Sequence, residues 1–311
     1  MPLTHTNRLV LSSADVFVNL LDWRKRVNPD SQSIMMIWND RQGRFSGLKA
    51  GALAFAVIPG LFIAFWFFTG ALQPLPVKIA IHLTGDWAVR FLVLTLALTP
   101  LQRIYRWNKL ALIRRMMGVT AFAYAATHFV LYIVMSKFDL GFVASEIALR
   151  FYLTIGFVTL LGLSALAATS TDSAVRKLGA KWKTLHEIVY GLGVLALFHY
   201  VLQSKIDVTA AMQMVGLFVL AMTIRVMIAK RYNLGLWQLV GAAVLAAVLT
   251  AGIEYSWYHF ATGVNALNIL KANLSLAFGP RPAVIALLAG LGLATAMTAQ
   301  NYLKNRKSVL A

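Results

Sequence analysis

The feature that most constrains this chain is the recurrence of long apolar runs without charge. Gly51–Val77 lies between Lys49 and Lys78, and Met116–Ser136, Phe151–Thr171, Ile188–Ser204, Val208–Ile224, Tyr232–Ile253 and Pro282–Leu303 follow. Phe91–Gln102 is short by itself, but Asp86 and Arg90, four apart on one helix face, can pair and extend it backwards. A helix needs about 20 mostly apolar residues to cross the hydrocarbon core. The pattern therefore predicts eight spans and an all-α integral membrane protein, with the second span the weakest by hydropathy. Composition agrees: 59% of the 311 residues are hydrophobic and 13% charged, where globular chains carry about a quarter charged residues. Disorder is excluded on the same ground. The absence of Cys removes disulfides, thiolate catalysis, Fe–S clusters and Cys-based zinc sites.

A net charge of +18 would suggest nucleic acid in a soluble protein. Here the cations fall between apolar runs and read as topology, so no nucleic-acid partner is expected. With the N-terminus assigned to the cytoplasm, 22 of the 29 Lys and Arg lie on that side, a strong positive-inside bias that puts both termini in the cytoplasm. Residues 1–46 show no signal-peptide pattern, and Arg8–Trp23 can form an amphipathic helix on the membrane surface.

Intramembrane ionisable residues are functional candidates by default. His128 lies in the third span, fifteen residues from Ile113, and His199 in the fifth, thirteen from His186. At 1.5 Å per residue these are roughly 22 and 20 Å from the cytoplasmic face. Two imidazoles at one depth on helices running the same way suit the two axial positions of a haem iron. They equally suit a pair of interhelical hydrogen bonds. His186 starts the fifth span near the cytoplasmic face and His82 starts the second near the outer face, so these two cannot grip one iron. A second, inner haem on His186 would need a distortion between His186 and His199, and a partner low on the third span, where only Arg114, Arg115, Met116 and Met117 stand. His5 and His259 are not expected to take part.

Four segments in order, HLTGDWAVRFLVLTLALTP (His82–Pro100), RRMMGVTAFAYAATHFVLY (Arg114–Tyr132), ATSTDSAVRKLGAKWKTLHEIVYGLGVLALFHY (Ala168–Tyr200) and Lys205, resemble the MsrQ (YedZ) family of the ferric-reductase-like transmembrane superfamily. The resemblance covers about residues 45–230. It implies a six-span haem-binding core over 47–231, preceded by a cytoplasmic extension at 1–46 and followed by two additional spans and a short basic tail at 232–311. It further implies a b-type cytochrome of the bacterial inner membrane carrying haem b and FMN. Electrons would pass from the quinone pool or a cytoplasmic flavin reductase to a periplasmic molybdopterin methionine sulfoxide reductase, MsrP, for repair of oxidised proteins. His128, His186 and His199 fall on the family's haem-ligand positions, and His82 on a common His of its HxTG motif. Arg150-Phe151-Tyr152 departs from the family's Arg-Pro-Tyr, and no role for the last two spans follows.

Two other classes compete. A proton-coupled transporter could use the intramembrane histidines as a relay, but it would normally show buried carboxylates. The reading here is that only Asp86 and Arg90 are charged within the spans, both near an end. A self-contained ferric reductase would need a nucleotide-binding domain, and no GxGxxG follows a strand pattern. No catalytic residue is expected in an electron-transfer subunit. For FMN, Arg103–Arg115 offers five cations to a phosphate and Arg176–Lys183 four.

Overall fold

The structure, a computed structural model, describes residues 45–273, 275 and 279–309. His5 and the helix expected at Arg8–Trp23 lie outside the described residues. The described chain is helical: α1 (Gly47–Phe68), α2 (Pro76–Tyr105), α3 (Leu110–Met135), α4 (Leu140–Leu149), α5 (Phe151–Ala168), α6 (Asp172–Leu178), α7 (Ala180–Glu187), α8 (Val189–Ser204), α9 (Thr209–Ala229), α10 (Leu236–Ala261), α11 (Ala266–Ala272) and α12 (Pro282–Val309). Eight helices among these residues are long and apolar enough to cross a membrane, with α7 and α8 forming one span, Ala180–Ser204. The chain is a multi-pass membrane protein. Residues 52–311 form one compact unit that includes the last two spans.

The span that is weakest by hydropathy is the longest helix. Pro76 starts α2, where its missing N–H is one the helix would leave unpaired in any case. At the other end Arg106 turns left-handed (φ 53°) and its N–H closes on the Gln102 carbonyl. This length corrects the placement of the charged pair. Asp86 and Arg90 stand ten and fourteen residues into a 30-residue helix, not near its end, and face each other at 4.0 Å. The expectation that they alone are charged within the spans is also corrected, because Arg225 lies in α9 and Glu254 in α10. Both carry partners. Arg225 donates to the Leu96 carbonyl (2.9 Å), Tyr190 hydroxyl (2.9 Å) and Thr99 hydroxyl (3.0 Å), tying α9 to α2 and α8. Fully buried Glu254 meets the Arg281 guanidinium at 2.5 Å and accepts from Asn273 at 3.2 Å.

Close packing of the later spans comes from small residues. Ala242, Ala243 and Ala246 of α10 and Ala286 and Ala294 of α12 are buried, and a Cβ on Gly290 would collide with Ala243. Without a hydrophobic drive between helices in lipid, such close backbone approach supplies the van der Waals contact that holds spans together. Large apolar side chains such as Leu61, Phe65, Val248 and Leu288 point outward, as a lipid-facing surface requires. α10 also clamps the α8–α9 connection: Trp257 donates to the Lys205 carbonyl (3.2 Å) and Tyr258 to that of Ile206 (2.9 Å).

Candidate functional site

The site is built by two helix pairs, α2 with α3 and α5 with α8. His128 on α3 reaches across to α2, where its Nδ1 lies 2.8 Å from the Ile81 carbonyl. His199 on α8 reaches α5 in the same way, with Nδ1 2.8 Å from the Tyr152 carbonyl. A carbonyl only accepts, so each Nδ1 carries the proton and each Nε2 keeps its lone pair. Among the described residues no hydrogen bond engages either Nε2. This is the arrangement found behind metal-bound imidazoles, whose remote N–H is fixed by a backbone or carboxylate oxygen. The interhelical hydrogen bonds foreseen as an alternative are therefore present, and they leave both Nε2 atoms without a hydrogen bond among the described residues.

Glycine makes each approach possible. Four residues beyond each acceptor carbonyl, one helical turn on the same face, stand Gly85 and Gly156. A Cβ on Gly85 would lie 2.9 Å from His128 Nδ1, and one on Gly156 2.7 Å from His199 Cε1. Any larger residue would push the ring off its carbonyl. Sequence reasoning missed both glycines and both carbonyls. The signal that could have found them is a glycine inside an apolar span, which weakens the helix unless something must come close.

The two imidazole rings are 6.4 Å apart between centroids and nearly perpendicular, at 86°. With metal–imidazole bonds of about 2.0 Å and roughly 1.1 Å from ring centre to nitrogen, two rings on either side of one ion stand about 6.2 Å apart. The observed centroid spacing of 6.4 Å matches that value. Among the described residues no group of three or more His, Asp or Glu could hold a bare metal. Two axial imidazoles suit a metal whose remaining four ligands come from a macrocycle, so the pair fits haem iron. The surroundings are apolar and aromatic, with Phe129 and Phe157 5.6 Å apart, and Tyr124 against Phe91 at 5.3 Å. Tyr124 is anchored by its hydroxyl to the Ala56 carbonyl at 2.9 Å.

The other two predicted residues take different places. His82 follows Ile81 on α2, is exposed, and lies within electrostatic range of His128. His186 stands away from the pair at the end of α7. It stacks on Trp182 at 4.0 Å, and its Nε2 is 3.1 Å from the Thr169 hydroxyl. The helix is interrupted at Ile188, between His186 and His199. Ile188 itself keeps near-helical dihedrals (φ −59°, ψ −19°), and a partner imidazole for His186 is lacking among the described residues.

The ferric reductase like transmembrane component family matches residues 84–197, the stretch that holds Gly85, His128, Gly156, His186 and most of α8. The heme-binding subunit MsrQ of protein-methionine-sulfoxide reductase from Rhodospirillum rubrum is 34% identical over 194 residues, 62% of this chain and 91% of that protein. The corresponding subunit of Agrobacterium fabrum is 40% identical over 148 residues, 47% of this chain and 68% of its own. That of Herminiimonas arsenicoxydans is 35% identical over 168 residues, 53% and 77% respectively. No solved structure matches the chain.

Proposed function

This chain belongs to the MsrQ family of heme-binding subunits of protein-methionine-sulfoxide reductase, and from that premise we propose that it is a b-type cytochrome passing electrons across the bacterial inner membrane. The donor is the quinone pool or a cytoplasmic flavin reductase. The acceptor is a periplasmic molybdopterin methionine sulfoxide reductase, MsrP, which repairs oxidised proteins. The observation that carries the reading is the His128–His199 pair, 6.4 Å apart, with each Nδ1 tied to a backbone carbonyl.

When bound, the haem supplies one-electron chemistry; the protein sets its place, ligation and surroundings. His128 and His199 would hold the iron through Nε2. The carbonyls of Ile81 and Tyr152 fix the tautomer and plane of each imidazole and raise its basicity as a ligand. Phe129, Phe157 and Tyr124 keep the slot dry. Because both ligands are neutral, ligation adds no charge to the membrane interior. His186 lies toward the basic end, where the donor delivers electrons. His82 lies toward the other, where they leave. FMN remains an expectation of the family resemblance, with the cations of Arg103–Arg115 and Arg176–Lys183 as its candidates for the phosphate.

The second reading, a transporter relaying protons, gains a buried carboxylate in Glu254. That carboxylate is already closed by Arg281 and Asn273, so it favours a structural use. The deciding experiment is a dithionite-reduced minus oxidised spectrum of the purified protein, with haem extracted as its pyridine complex. A low-spin b-type spectrum, lost in His128→Ala and His199→Ala, supports the cytochrome. Colourless, well-folded protein sinks it.

A further inference from the structure

A cavity of about 400 Å³ lies between α2, α9 and α12, with Phe55 of α1 also lining it. On α2 its wall runs from Trp87 to Leu101; Leu217 and Ala221 of α9 and Ala289 and Leu293 of α12 close it. Every lining residue except Arg90 is apolar. Fourteen residues of helix make the slot roughly 21 Å long. At about 30 Å³ per small group, the volume of a liquid water, the 400 Å³ holds roughly 13 methylenes, which is one alkyl chain and not two.

An apolar space of this size does not stay empty in a membrane. Its lining forfeits dispersion contacts in proportion to the volume left unfilled. Water finds almost no polar partner along these walls. The abundant filler is a lipid chain.

The rim says which lipid. α2, α9 and α12 run in the same direction, so their C-terminal ends lie at one end of the bundle. All three finish in exposed cations: Arg103 and Arg106, Lys230 and Arg231, Lys304 and Arg306. None of the six is in an ion pair among the described residues. Cations at span ends serve topology in general. Here three helices that line one apolar slot all carry them at the same end of the bundle, and Arg103 stands two residues beyond Leu101, the last lining residue of α2, which is the form of a basic interhelical pocket for an anionic headgroup. Trp107, half exposed just beyond α2, sits where interfacial aromatics gather.

We propose that this slot is a binding site for one anionic phospholipid of the leaflet at the basic end. One acyl chain runs up the slot toward Trp87, and the phosphate sits among the terminal cations. The lipid fills the seam between the haem-binding spans and the last span, which supplies one of the three walls.

The test uses full-length protein in phosphatidylcholine vesicles doped with brominated-chain phosphatidylglycerol or brominated-chain phosphatidylcholine, reading tryptophan fluorescence. Brominated phosphatidylglycerol is expected to quench at a mole fraction several-fold lower than the brominated phosphatidylcholine, and Trp87→Phe is expected to lose that tight component. Ala97→Phe, which fills the slot, should abolish it while Trp87 remains; the haem spectrum reports that both variants are folded. Replacing Arg103 and Arg106 by Gln should remove the preference for phosphatidylglycerol and leave the weak component. Equal potency of the two lipids, or a tight component unchanged in Trp87→Phe, would reduce the slot to ordinary boundary lipid and overturn the proposal. So would mass spectrometry of gently solubilised protein that finds an isoprenoid in place of a phospholipid.

Discussion

The His128 and His199 imidazoles face each other from α3 and α8 at 6.4 Å and 86°, although 71 residues separate them in the chain. Neither ring is held by its own helix. Each is oriented by a carbonyl of a third or fourth helix, so the pair depends on four spans at once.

Removing either imidazole would leave the iron with one protein ligand in place of two. His128→Ala and His199→Ala are each expected to abolish the low-spin haem signal, by loss of the cofactor or conversion to high spin. Optical and electron paramagnetic resonance spectra of the purified variants check this. Retention of a full low-spin signal by either variant would remove that residue from the pair.

The glycines give a subtler test. Gly85→Ala and Gly156→Ala place a methyl against the ring that must bond the carbonyl beside it, at 2.9 and 2.7 Å. Disturbing the partners behind a metal ligand typically costs about 10–100-fold in metal affinity, and haem retention under a competing apo-globin should fall in that range. Gly191→Ala, with nothing within 4 Å of the new Cβ, serves as the control and should retain haem like the parent.

The buried ion pair carries a prediction for stability. Arg281→Leu leaves Glu254, fully buried, without its cation, a loss of about 3–5 kcal/mol for a broken buried pair. The double replacement Glu254→Leu with Arg281→Leu removes the stranded charge and should recover much of that loss. Thermal unfolding in detergent compares the three proteins. A double variant less stable than Arg281→Leu would show that the pair contributes more than mutual neutralisation.

Among the described residues of the last two spans the one histidine is His259, in the last turn of α10 and stacked on Tyr255. A truncation after Tyr232 is expected to bind haem, at reduced thermal stability. It exposes the α9 face now packed by α10 and α12, and releases the Lys205 and Ile206 carbonyls from Trp257 and Tyr258. Haem content measured on the inserted fragment decides. A well-inserted fragment without haem would assign these spans a part in the site.

The direction of electron flow can be read from the two outlying histidines. His186→Ala should slow haem reduction by the donor more than haem oxidation by the periplasmic partner, and His82→Ala the reverse. Stopped-flow measurement of the two half-reactions in vesicles gives the ratio. Equal effects on both halves would leave no direction assigned to these residues.

Sequence determined the number of spans, because a run of about 20 apolar residues is helical in lipid whatever its neighbours do. It also selected His128 and His199. Helical rise alone puts them at one depth, and an imidazole inside a span needs a reason to be there. Span ends were less legible. Asp86 and Arg90 interrupt the apolar pattern of α2 and were read as its edge, yet the helix runs ten residues further back from Asp86. Arg225 and Glu254 stand just past the charge-free runs Val208–Ile224 and Tyr232–Ile253, so charge alone sets them outside the spans that α9 and α10 extend over them. A charge inside a bundle is tolerated when a distant residue answers it, and hydropathy along one helix cannot see that residue.

What tertiary structure decided is the set of relations between helices. The carbonyls of Ile81 and Tyr152 have no signature in sequence, since every residue has a carbonyl; only the packing of α2 on α3 and of α5 on α8 selects these two. The same packing gives Gly85 and Gly156 their purpose, leaves His186 stacked on Trp182, and opens the slot beside α2. The physical reason is range. Spans and depths follow from each residue's own transfer into lipid and from a fixed rise along its helix. Tautomer, ring spacing and cavity arise from contacts of a few ångströms between residues tens of positions apart, which exist only once the helices have packed.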